Sequence, residues 1–139
     1  MGTFVMRTPP LLTTVFAAIC GTAISVFAPA LAQQPGDAAA GADVFKKCRA
    51  CHDTGPGATN KVGPILNGLF GRKSGTIEGF AYSDANKEAG AKGLVWDEDK
   101  FLKYIEDPRG FMPGNKMAFA GIKDAQDRAD LVAFLKTQK

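Results

Sequence analysis

The sequence predicts a small all-α domain, and three observations carry that prediction. Apolar residues recur at intervals of three and four behind residues that cap helices, and no stretch alternates apolar and polar as a half-buried strand would. The chain between the helical stretches is rich in Gly and Pro. With 139 residues, 45% hydrophobic and 22% charged, the composition is that of one ordinary globular domain, with no room for a second.

Residues 1–32 predict a cleaved export signal. Arg7 is the one charge, an apolar stretch runs from Leu11 to Ala28, and Ala30-Leu31-Ala32 is the small-x-small pattern that signal peptidase cuts. An uncleaved anchor is the rival reading, because roughly 17 to 25 apolar residues span a bilayer. Thr13, Thr14, Gly21, Thr22 and Ser25 dilute the run and argue against it. Ile19 directly before Cys20 argues against lipid attachment. Cleavage leaves 33–139 as the working domain, exported to the periplasm, a length at which a single core is thin.

The formal charge of +3 falls to +2 when Arg7 is removed, too mild a balance for a nucleic-acid binder. Composition carries no oligomerisation signal, so a monomer is expected. Asp37 caps a first helix bearing Val44, Phe45 and Cys48. From Asp53 to Gly79, Gly55-Pro56-Gly57 and Gly63-Pro64 forbid long regular elements, and a loop of that length must wrap around something. Ser83 to Ala89 reads as a short helix. Asp97 caps another in which Phe101, Tyr104 and Ile105 share a face and which Asp107-Pro108 ends. The last helix starts at Asp124 and carries Ala125, Ala129, Leu131, Val132, Phe134 and Leu135.

The most specific motif is Cys48-Arg49-Ala50-Cys51-His52, the C-x-x-C-H pattern of covalent c-type haem attachment. Three residues apart on a helical turn, both sulfurs reach one side, where they can add to the two vinyl groups of a porphyrin, and His52 comes under the iron as proximal ligand. A redox pair or half a zinc site competes. The first is expected near βαβ patterning, and the second lacks a fourth ligand because His52 is the single histidine. The sixth position then falls to a Met, to a weaker group, or stays open. Met112 and Met117 survive signal cleavage, and Met117 is preferred because Pro113-Gly114-Asn115-Lys116 is a turn that can present it inward.

On these residues the chain resembles the class I cytochromes c, the bacterial cytochrome c2 group and mitochondrial cytochrome c. The resemblance runs from Gly41 to Lys136. It rests on Cys48 to His52, Gly63-Pro64, Leu69 to Lys73, Phe80 to Asn86, Trp96, Pro113 to Met117 and Phe119 to Lys123. It implies a small cytochrome c fold with crossing N- and C-terminal helices around one covalently bound haem c, with Gly41 at the crossing among Phe45, Leu131 and Phe134. His52 and Met117 would be the axial ligands, and the Pro64 carbonyl would fix the His52 ring. Arg72, Tyr82 and Trp96 would lie near the propionates, and Asn86 and Tyr104 in a polar network behind Met117. Read without the resemblance, Trp96 and Tyr104 are equally core aromatics and Arg72 a surface charge.

Two departures stand out: Asn115 occupies a position where relatives usually carry Thr, which puts a propionate contact in doubt, and Glu88 to Val95 is slightly longer than in the mitochondrial protein. The resemblance further implies a one-electron carrier, not an enzyme, that meets membrane redox complexes transiently. A cytochrome bc1-type complex would be donor, and an oxidase or photosynthetic reaction centre acceptor. Lys47, Lys61, Lys116 and Lys123 would ring the docking edge, a scattered set of surface lysines being the bland alternative. A membrane-tethered module and a haem enzyme or gas binder with an open sixth site are the competing functions.

Overall fold

The computed structural model describes residues 1–3 and 34–139, and the expected export signal, apart from its first three residues, and its cleavage point lie outside the described residues. Among the described residues five helices follow in order: α1 (Ala38–Phe45), α2 (Asp84–Ala91), α3 (Glu98–Glu106), α4 (Pro108–Phe111) and α5 (Ala125–Thr137). Among the described residues there is no β-strand, only a single antiparallel bridge between Lys73 and Val95. No helix among them is long and apolar enough to cross a membrane.

Each start has a local cause. A helix opens with unsatisfied N–H groups, which a short polar side chain just before it can accept. The Asp37 carboxylate accepts from the Ala40 N–H at 2.8 Å, Asp97 from Lys100 at 2.8 Å and Asp124 from Asp127 at 2.8 Å. The Ser83 hydroxyl accepts from Asn86 at 3.2 Å. The short α4 departs from expectation. Asp107-Pro108 reads as a stop, yet Asp107 accepts from the Gly110 N–H at 3.1 Å and Pro108 sits in the first turn, where its missing N–H costs nothing.

α1 and α5 cross in close contact at Gly41. A Cβ there would sit 1.9 Å from the Asp130 carbonyl oxygen and 2.8 Å from the Phe134 Cβ, so only a hydrogen fits between the helices. Phe45 and Phe134 pack beside the crossing with ring centroids 5.2 Å apart. Buried Asp130 ties the entry of α1 to α5, accepting from the Asp37 N–H at 2.7 Å and from Gln126 Nε2 at 2.9 Å. Gly41→Ala is expected to lower stability by about 3 kcal/mol, because overpacking outweighs the roughly 1 kcal/mol that Ala adds to helix propensity. Thermal denaturation of the haem-loaded protein checks this, with a Tm lower by roughly 15 °C expected for a domain of this size.

Between α1 and α2 the chain is held by isolated backbone bonds. Gly63 donates to the Cys51 carbonyl at 2.8 Å, Leu66 to Asp53 at 3.0 Å and Gly71 to Trp96 at 2.8 Å. Among the described residues eleven apolar side chains are buried, and seven of them, Phe45, Leu69, Trp96, Phe101, Ile105, Leu131 and Leu135, also line one cavity. The core therefore surrounds that cavity.

Candidate cofactor site

The cavity measures about 380 Å³, within the range of small-molecule and cofactor pockets, and is partly open to solvent. Its first wall grows out of α1. Past Phe45 the chain continues in tight turns, with Cys48 donating to the Phe45 carbonyl at 2.8 Å and both Cys51 and His52 donating to the Cys48 carbonyl at 3.0 and 2.9 Å. That winding brings Cys48, Cys51 and His52 to the same cavity.

The His52 ring is fixed from two sides. Its Nδ1 lies 2.7 Å from the Pro64 carbonyl oxygen, which can only accept, so Nδ1 carries the proton and Nε2 is left with its lone pair. A Cβ on Gly63 would lie 2.3 Å from the ring, so the backbone of Gly63 packs directly against the imidazole. Burial lowers the His52 pKa and the Pro64 bond partly opposes it, which favours the neutral, ligand-competent ring.

Cys48 is half-buried and Cys51 exposed, with no disulfide between them. Burial pushes the Cys48 thiol up to about 11 while Lys47 pulls the other way, so it stays protonated at neutral pH, unlike the thiolate of a redox pair. Among the described residues no three His, Cys, Asp or Glu side chains gather as a metal site, which leaves the zinc reading without a geometry.

The loop after α4 brings Met117 to the cavity, where the Tyr104 hydroxyl donates to its Sδ at 3.8 Å. Burial raises the Tyr104 pKa to about 12, so the hydroxyl keeps its proton throughout the neutral range. Tyr104 packs on Trp96 with ring centroids 5.0 Å apart. Arg72 lines the cavity and donates to the carbonyls of Asn67 at 2.8 Å and Ile65 at 3.2 Å. Burial lowers its pKa and raises that of Tyr82, while the charge of each partly opposes the other's shift.

All ten residues singled out as cofactor or iron contacts, Cys48, Cys51, His52, Pro64, Arg72, Tyr82, Asn86, Trp96, Tyr104 and Met117, line this cavity. Asn86 takes a different place within it from the one expected. Its amide donates to Ser83 Oγ at 3.0 Å within the cap of α2, and its oxygen accepts from Ser74 Oγ at 3.3 Å, which ties α2 to the preceding loop; neither bond goes to Met117.

The lysines divide. Lys47 and Lys116 line the cavity, whereas Lys61 and Lys123 do not. Lys47 pairs with Asp127 at 2.9 Å, Lys61 with Asp53 at 3.5 Å, and Lys123 donates to the Glu106 carbonyl at 2.6 Å. Lys116 makes no ion pair among the described residues. Two contributors have no expected role at this site: Gly63, against the imidazole, and Asn115, whose amide bonds three backbone groups beside Met117. Gly63 is detectable only as part of Gly63-Pro64, and Asn115 only as a departure from Thr.

A flat apolar group with two carbon attachment points and room for one nitrogen and one sulfur ligand fits this donor set. The walls are mostly apolar, the two thiols and one imidazole come from a single turn, and Gly63 leaves the imidazole face free of side chain. A family profile described as Cytochrome c matches residues 38–139. The chain is 62% identical over 109 residues to a cytochrome c2 of Blastochloris viridis, covering 78% of this chain and 81% of that one. It is 52% identical over 102 residues to a cytochrome c of Stellaria longipes, covering 73% and 92%. The solved structure of cytochrome cH from Methylobacterium extorquens superposes with a TM-score of 0.67 at 44% identity, covering 73% of this chain and 99% of that one.

Proposed function

The chain belongs to the cytochrome c family, and from that premise we propose that it is an exported one-electron carrier with a single haem closed by two axial ligands. The family carries one covalently attached c-type haem. The observation that supports the reading most directly is the convergence of Cys48, Cys51, His52 and Met117 on one apolar cavity, with the imidazole already held through Nδ1. When bound, the haem supplies a one-electron Fe(III)/Fe(II) couple, whose reduced form a thioether ligand favours relative to a second imidazole.

The chain's own residues do the rest. Cys48 and Cys51 would hold the haem through thioether bonds, and the Pro64 carbonyl fixes His52 through Nδ1, which leaves Nε2 free to bind iron. Met117 would offer its Sδ to the iron, and the Tyr104 hydroxyl, which donates to the same sulfur, would draw electron density from it. Arg72, Tyr82 and Trp96 would hold the propionate end, for which the guanidinium retains N–H donors beyond the two spent on Asn67 and Ile65. Met117 and Tyr104 would keep water and small molecules from the iron, which would suppress enzymatic chemistry and leave electron exchange.

The partners in this reading are membrane redox complexes, a cytochrome bc1-type donor and an oxidase or photosynthetic reaction centre as acceptor, met by a monomer in the periplasm. Purification from the exported fraction with intact mass, a redox titration and a carbon monoxide titration tests it. The expected result is a mass matching 33–139 plus haem, a reversible one-electron wave, and a reduced form that resists carbon monoxide. Ready carbon monoxide binding would instead mark an open sixth site, and a retained N-terminal segment would mark a tether.

The docking edge gives a separate expectation. Lys116→Glu is expected to slow electron transfer to the acceptor complex about fivefold at low salt, the gap closing as salt shortens the range of the charge. Stopped-flow rates across a salt series check it, and an unchanged low-salt rate removes Lys116 from the docking surface.

A further inference from the structure

We propose that Asn115 is a positioning residue for Met117, a clamp that sets how readily the sulfur leaves the iron. The proposal rests on the reading of Met117 as axial ligand.

The Asn115 amide is fully used. Its Nδ2 donates to the Pro108 carbonyl at 2.8 Å and to the Met112 carbonyl at 2.7 Å, and its Oδ1 accepts from the Met117 N–H at 2.9 Å. The orientation is unambiguous, because two carbonyls can only accept and an N–H can only donate. The two carbonyls belong to the first residue of α4 and to the residue that ends it. One side chain therefore joins a rigid turn of helix to the backbone of the sulfur-bearing residue. With both N–H groups spent on carbonyls, Asn115 has no donor left for a propionate.

The rest of the loop explains why this bond matters. At its far end the chain is fastened again: Ile122 donates to the Ile105 carbonyl at 2.8 Å, and Arg128 Nη1 donates to the carbonyls of Ile122 and Lys123 at 2.8 Å each. Gly121 passes so close to α3 that a Cβ would lie 2.1 Å from the Glu106 carbonyl oxygen. Between these ends, the Met117 N–H to Asn115 is the one hydrogen bond made by the backbone of residues 116–121 among the described residues. Local opening of a segment is governed by the bonds that must break for it to open. Here those are chiefly the Asn115 clamp on the backbone and the Tyr104 bond to the sulfur, together with the sulfur–iron bond.

Imidazole titration of the oxidised, haem-loaded protein reads the opening directly, since imidazole binds the iron only where Met117 has left. Each hydrogen bond is worth roughly a factor of 2 to 12 in such an equilibrium, and water restores part of it. Asn115→Leu is expected to tighten imidazole binding about tenfold and to weaken the sulfur-to-iron absorption of the oxidised form. Val132→Ala serves as the control for general loss of stability, since Val132 is buried away from the cavity, and is expected to change imidazole binding less than about twofold. Should Asn115→Leu not fold, Asn115→Ser keeps an acceptor near the Met117 N–H without the reach to Pro108, and is expected to fall between.

Imidazole binding in the Asn115 variants no tighter than in Val132→Ala, with the sulfur absorption intact, overturns the clamp and leaves the ligand reading standing. Absence of that absorption in the unsubstituted protein removes the ligand reading and the clamp together.

Discussion

Cys48→Ala combined with Cys51→Ala, which denies the chain its covalent haem, is expected to yield haem-free material without a stable tertiary fold. Seven of the eleven buried apolar side chains among the described residues line the cavity, so most of that core would have the cofactor as its packing partner. A cavity of about 380 Å³ left unfilled costs about 9 kcal/mol at roughly 24 cal/mol per Å³. Water entry and partial collapse reduce that cost because the cavity is partly open. Domains of this kind have only about 5 to 15 kcal/mol in total, so even half the figure removes much of it. Away from the cavity, the close packing of α1 against α5 at Gly41 fastens the two ends of the described domain, but the long loop between α1 and α2 has little regular structure to retain it. Far-UV circular dichroism of the haem-free double variant, with thermal melting, gives the answer. Low helicity and no cooperative transition are expected; native helicity with a sharp melt would show that the polypeptide folds on its own contacts.

What the sequence displays and what it conceals divide along a physical line. Asp37, Ser83, Asp97 and Asp124 are readable as helix starts because a cap bonds an N–H two or three residues ahead, an interaction that local sequence contains entirely. The C-x-x-C-H turn is readable for the same reason. α4 is not, because Asp107-Pro108 carries both a stop and a start signal, and only the surrounding chain decides that Pro108 opens another turn. The partners of Asn86 and Lys47 are tertiary. Ser74 is 12 residues from Asn86 and Asp127 is 80 from Lys47, separations at which spacing carries no information. Gly41 and Gly63 look alike as letters. The structure gives each its reason, a helix backbone against one and an imidazole face against the other.

Met117→Ala is expected to convert a closed haem protein into one that binds external ligands, and the contrast with Met112→Ala makes the assignment decisive. Met117 is half-buried, lines the cavity and accepts from Tyr104, whereas Met112 is buried at 5% exposure, packs in the core and does not line it. In the proposed reading, truncating Met117 would remove the soft ligand, and it leaves the Tyr104 hydroxyl without its sulfur partner. Carbon monoxide should bind the reduced variant and cyanide the oxidised one without the delay of displacing sulfur, and the reduction potential should fall because Fe(II) loses its preferred donor. The fold should persist, since the loop keeps its attachments at Asn115, Ile122 and Arg128. Truncating Met112 opens a core cavity and should cost about 2 to 4 kcal/mol while leaving the iron closed. Ligand titrations and melting curves on the two variants therefore move in opposite patterns. An opened iron in Met112→Ala and a closed one in Met117→Ala would transfer the axial role to Met112, and with it the meaning of the Tyr104 and Asn115 contacts.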